Sequence, residues 1–209
     1  GLLRTLWREG QTILHVTHDF EEAFSLATRV GILERGEGGM SRLSQEGTPQ
    51  EVFENPSSSF VARFMGMKNS ITGALVPLNS EDKEREGVRR FLPAQSGAPM
   101  IAVASHEEWS GSCFVVIPQS AVVCAREPFS PPLQNMVQGE VTDMAPTQAG
   151  IEVVIRCGLH LSATIDRDVA DSMKIAVGER LWAGFSASAV RVLGRGAAQV
   201  TGGAYDKNV

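Results

Sequence analysis

His18 and Asp19 are the residues of this 209-residue chain whose types and placement most invite chemistry. They follow Thr12-Ile13-Leu14-His15-Val16-Thr17, an apolar, β-branched run of strand length, and precede Phe20-Glu21-Glu22-Ala23-Phe24, a helix-forming stretch. A strand that feeds a helix in an open α/β sheet delivers its last residues to the carboxyl edge, where phosphates bind. An imidazole there can hydrogen-bond a phosphoryl group or the water that attacks it, and its charge changes near neutral pH. The same pair also fits a plain turn whose aspartate caps the next helix.

Local signals predict the elements that would hold this turn. Leu2 to Glu9 has helical spacing and stops at Gly10, a residue suited to a C-cap. The helix from Phe20 to Ala27 turns Phe20, Ala23, Phe24 and Ala27 to one side, and Val30 to Leu33 is a strand. Glu37-Gly38-Gly39 reads as a tight turn and Met40 to Glu46 as the return strand. Thr48-Pro49-Gln50-Glu51 is a capping box with proline at the first helical position, and Asn55-Pro56 stops that helix. A further helix after Ser57 to Ser59 packs Phe60, Val61 and Phe64, and ends at Gly66.

From Asn69 the chain turns β-rich. Strands are expected at Ile71 to Val76, Met100 to Ala104, Cys113 to Ile117 and around Cys124, with the charged stretch Asn79 to Arg90 as an exposed loop and Arg126 to Pro132 as a linker. Asn135 to Val141, Gly150 to Arg156 and Leu159 to Ile165 are three more. A short helix capped by Asp166 leads to strands Gly178 to Phe185 and Ala189 to Leu193. Five short strands with one helix between the third and fourth suggest a small closed OB-like barrel. The tail from Gly194 reads as disordered.

A hydrophobic content of 43% describes an ordinary globular protein, and a net charge of -5 with scattered Lys and Arg argues against nucleic acid. No run reaches the roughly twenty apolar residues of a membrane span. Cys113, Cys124 and Cys157 read as buried thiols on strands of a protein from a reducing compartment, and their spacing suits no zinc site or other metal site. His15 is expected to pack mid-strand, His106 to sit in a polar loop and His160 to point outward, with Trp109 and Trp182 as core or interface aromatics.

Val16-Thr17-His18-Asp19 with Glu22-Ala23, then Ala27 to Gly36, then Gln45 to Pro56, resembles the end of an ABC-transporter ATPase domain. The resemblance makes His18 the switch histidine that contacts the γ-phosphate of ATP, with Asp19 holding the turn. Neither a G-x-x-x-x-G-K-[ST] phosphate loop nor an apolar strand ending in Asp-Glu occurs in the chain. The chain by itself is therefore expected not to hydrolyse ATP, and the main segments for ATP and Mg²⁺ lie elsewhere in the intact protein.

The β-rich part resembles the TOBE/Mop domain of molybdate and tungstate importer ATPases. In that family a Ser-Ala-Arg-Asn stretch and an Ile-Lys-Ala-Ser stretch bind the oxyanion. The matching positions here are Pro132-Leu133-Gln134-Asn135 and Phe185-Ser186-Ala187-Ser188, so Gln134, Asn135, Ser186 and Ser188 become candidates for molybdate or tungstate, with Gln134 and Ser186 in place of two cations. Each charge-assisted hydrogen bond lost weakens such a site by about 1.5 to 3 kcal/mol.

The fold expected is an α+β composite: residues 1–66 as the end of an α/β P-loop ATPase domain, 67–130 as the first TOBE-type strands and linker, 131–195 as the Mop/TOBE OB-like barrel, and 196–209 as a flexible tail. The resemblance implies the ATP-binding subunit of an oxyanion importer. It would be a homodimer acting on membrane permease subunits fed by an external substrate-binding protein, cytoplasmic and peripheral to the inner face of the membrane. The alternatives are a non-enzymatic oxyanion-binding module and an importer ATPase for a sugar, polyamine, iron or another anion.

Overall fold

The computed structural model describes residues 2–77, 87–105 and 109–194. Helix α1 (Leu2–Arg8) ends at Gly10, whose φ of 85° is a left-handed stop. Helix α2 (Phe20–Leu26) follows the His-Asp turn, and β1 (Val30–Arg35) pairs antiparallel with β2 (Ser41–Gly47) through a 3-10 turn at Glu37–Gly39. Helix α3 (Pro49–Glu54) has the expected capping box: Thr48 Oγ1 accepts from Glu51 N, and Glu51 Oε2 accepts from Thr48 N. Helix α4 (Ser59–Phe64) buries Val61 and Ala62 and stops at Gly66. Thr48→Ala removes half of that reciprocal cap and is expected to cost about 1 kcal/mol in urea denaturation; an unshifted midpoint would show that packing alone holds α3.

The expected strand over Thr12 to Val16 is not formed. Residues 11–17 have no regular structure, and Leu14 and Val16 are 94% and 87% exposed. An extended segment becomes a strand only when neighbours satisfy its backbone N–H and C=O groups, and among the described residues none lies beside it. The α/β parallel sheet is accordingly not seen over residues 2–66, which form four helices and one two-stranded hairpin. Phe20, Phe24 and Phe53 still gather, with centroids 5.6 to 6.0 Å apart, but the apolar side of α2 is only half covered: Phe24 is 44% exposed. Phe64, expected to pack, is 39% exposed.

The remaining chain forms β3 (Ser70–Leu75), β4 (Val88–Pro93), β5 (Ile101–Ala104), β6 (Gly111–Val116), β7 (Val123–Ala125), β8 (Asn135–Thr147), β9 (Gly150–Arg156), β10 (His160–Ile165), helix α5 (Arg167–Met173), β11 (Arg180–Phe185) and β12 (Arg191–Leu193). They make two five-stranded antiparallel sheets, ordered β5-β4-β3-β6-β12 and β10-β9-β8-β11-β7. One apolar core joins both, from Phe91, Val103 and Val115 to Val141, Val153, Leu161 and Leu181. The last module is β-rich and its sheet five-stranded, as expected, but the identity of the fifth strand is corrected here. Its final strand, β12, pairs with β6 of the other sheet, while β7 crosses over to pair with β11. A strand of three residues takes whichever open edge its connection reaches, and local sequence does not specify which.

Two smaller expectations also change. Of the stretch Asn79 to Arg90, residues 79–86 lie outside the described residues, but Arg89 and Arg90 belong to β4. Arg89 is buried at 2% exposure, donating to the carbonyls of Trp109 and Val76. Asp166 stands at the start of α5 without a side-chain capping bond. His106 and residues 195–209 lie outside the described residues. His160 is exposed and Trp109 packs on the core, as expected.

Candidate functional site

The His18 turn is built by short-range bonds. Asp19 Oδ1 accepts from Glu22 N at 3.1 Å and caps α2, while the Asp19 N–H donates to Thr17 Oγ1 at 3.0 Å. Thr17 Oγ1 in turn donates to Glu22 Oε2 at 2.8 Å, and His15 Nε2 lies 3.2 Å from the same oxygen. The hydrogen bonds from Thr17 and then His15 hold the Glu22 carboxyl below its ordinary range. His15 thus partners a carboxylate at the surface instead of packing in a strand. His18 is exposed and takes no part in the cap. The turn fixes the backbone on both sides of an imidazole left open to solvent, an arrangement suited to meeting an anion brought from outside the described residues.

The second candidate set lies where the two sheets meet. Gln134 Oε1 accepts from Ala187 N at 3.4 Å, and the hydroxyls of Ser186 and Ser188 are hydrogen-bonded to each other at 2.9 Å. Gln134, Ser186 and Ser188 are therefore brought together. Asn135 is engaged elsewhere. Its carboxamide accepts from Ala102 N at 2.7 Å and donates to Ala102 O at 2.9 Å, closing the free edge of β5. A cleft of about 120 Å³ opens beside Gln134 and Asn135, walled by Pro99, Met100, Leu159 and Phe185. The positions can offer hydroxyl and amide donors, and none of the four is a cation.

Sequence reasoning passed over three residues that the fold assembles. Lys68 and Gln119 converge on the carboxylate of Glu152, which is 7% exposed. The signal for them is a weak internal repeat: Asn69 and Gly73 at the start of one set of strands, Asn135 and Gly139 at the start of the other. The thiols contribute no nucleophile. Burial pushes Cys124 up to about 11 and raises Cys157, and Cys113 is buried.

Residues 131–192 match the TOBE domain model. The molybdate/tungstate import ATP-binding protein WtpC of Pyrococcus abyssi is 33% identical over 190 residues, 90% of this chain and 49% of that protein. The chain carries a TOBE domain and is homologous to ABC-importer ATP-binding subunits. It spans about half the length of the curated relatives it matches first. The Fe(3+) ions import ATP-binding protein FbpC of Streptomyces avermitilis is 47% identical over 81 residues, 38% of this chain and 22% of its own length. The spermidine/putrescine import ATP-binding protein PotA of Trichormus variabilis is 43% identical over 72 residues, 34% of this chain and 18% of its own. The matched TOBE segment runs from just before β8 to β12, yet it is not a closed unit: its last strand completes the other sheet, and β7 from outside it completes its own. No described helix is long and apolar enough to cross a membrane.

Proposed function

We propose that this chain is part of the ATP-binding subunit of an ABC importer for molybdate or tungstate. In this reading residues 1–66 end its nucleotide-binding domain, and the two sheets form a regulatory and dimerising region. The carrying observation is the extent of the likeness. The molybdate/tungstate relatives match 65% to 90% of the chain, whereas the iron and polyamine relatives match 34% to 51%. Two copies would clamp ATP at the inner face of the membrane and act on permease subunits fed by an external binding protein.

His18 fits a contact to the terminal phosphoryl of ATP, because its imidazole is exposed on a turn whose other side chains are committed to the cap. ATP, when bound, supplies the phosphoanhydride whose hydrolysis drives transport. Among the described residues no group of three or more His, Cys, Asp or Glu is gathered to hold a metal ion; Mg²⁺ in a nucleotide site is held by one or two protein oxygens plus the phosphates, which this reading assigns to the rest of the intact protein. In the TOBE domain, Ser186, Ser188 and Gln134 are the donors proposed for an oxyanion, and Asn135 orders the neighbouring strand.

Transport assays test the cargo. Deletion of the gene in its host is expected to abolish molybdate and tungstate accumulation and leave spermidine and iron uptake intact, with recovery when the intact gene is returned. Unchanged molybdate and tungstate uptake in the deletion strain would overturn the assignment.

A further inference from the structure

The crossing of the last strands makes β3–β7 and β8–β12 two copies of one unit related by a pseudo-twofold. The pairing registers set the correspondence. Phe91 faces Ile101 as Ile155 faces Leu161, so Ala102 corresponds to Ser162. Asn135 closes the edge of β5 at Ala102, and Asn69 closes the edge of β10 at Ser162 with two bonds of 2.7 Å. Val116 faces Arg191 as Gly184 faces Val123. By this register Lys68 is the counterpart of Gln134, Gln119 of Ala187, and Ser120 of Ser188.

The first copy therefore has the cation that the second lacks. Lys68 Nζ pairs with Glu152 Oε2, and Gln119 Nε2 donates to Glu152 Oε1 at 3.0 Å. A carboxylate buried to 7% exposure persists only when paired, and here each oxygen has one donor. The counterpart of Glu152 on β4 is Val88, which brings no anion to the Gln134 position. One copy thus holds an anion supplied by the protein itself; the other holds none. The Lys68 side chain is 52% exposed, so an anion in solution can reach it.

We propose that Lys68 and Gln119 form an anion position kept shut by the carboxylate of Glu152, leaving the chain one open oxyanion position, beside Gln134, Ser186 and Ser188, instead of two. A tethered carboxylate has an effective concentration on the order of millimolar or above, which a scarce free dianion does not match. The open position rests on the function proposed above; the closed one rests only on the contacts of Glu152.

The test is calorimetric titration of the full chain and its Glu152→Ala and Glu152→Val variants with molybdate and, separately, sulfate. Valine is the residue that the other copy uses at this place. Each variant is expected to take up one more equivalent of anion per chain than wild type, and Lys68→Met added to either variant to remove the extra equivalent. A folded variant with wild-type stoichiometry overturns the proposal, as does an extra equivalent that survives Lys68→Met. A variant that unfolds and is not restored by excess molybdate or sulfate also overturns it, since an anion in the cradle would replace the missing carboxylate. Wild type that binds neither anion removes the open position alone, and the difference between variant and wild type still reads the closed one.

Discussion

In the intact protein, under the function proposed above, His18→Ala is expected to slow ATP hydrolysis by roughly a hundredfold or more while leaving the fold in place. Removing one preorganised donor to a transferring or tetrahedral centre typically costs about 10² to 10³ in rate. The fold is spared because the helix cap is made by Thr17, Asp19 and Glu22, and His18 supplies none of its bonds. Asp19→Ala separates the two roles: it removes the cap of α2, at about 1 kcal/mol, without removing the imidazole. Turnover by the intact protein, with a thermal melt of each variant, checks both. An undiminished rate in His18→Ala would end the phosphate-contact assignment, and the turn would revert to a helix start with a bystander histidine.

Asn69→Leu is expected to lower the unfolding free energy by about 3 kcal/mol, although the two side chains are similar in size. Asn69 is 1% exposed, and its carboxamide satisfies both the N–H and the C=O of Ser162 on the outer edge of β10. Leucine leaves both backbone groups buried without a partner, at about 1 to 3 kcal/mol each, offset in part by the apolar volume it adds. Asn135→Leu does the same to Ala102 on β5, so the pseudo-twofold predicts matched losses at the two sites. Urea denaturation of the two variants is the measurement. A loss well under 1 kcal/mol at either site would mean that water reaches that edge and the closure is dispensable.

Much of the local structure was legible because its causes are local. The Thr48 to Glu51 capping box, the Gly10 and Gly66 stops and the strands starting at Asn135 and Gly150 depend on residues within a few positions of one another. The His18 turn was legible for the same reason, though the strand leading into it was not. Thr12 to Val16 has the composition of a strand, and a strand exists only with a partner. Lys68, Gln119 and Glu152 escaped notice because a lysine in a loop, a glutamine after a proline and a glutamate in a strand are each ordinary. Their meaning comes from convergence across more than eighty positions of chain.

By itself the sequence determined the caps, the turns, the positions of most strands and the His-Asp motif, all consequences of backbone sterics, residue type and short-range hydrogen bonding. Only the tertiary structure decided that β7 and β12 trade sheets, that two asparagines close two strand edges, and that one carboxylate is drawn into the core between a lysine and a glutamine. Those outcomes depend on which open edges and unpaired groups meet when the chain closes on itself. That competition is settled by the whole set of buried hydrogen bonds together, and no single stretch of sequence contains it.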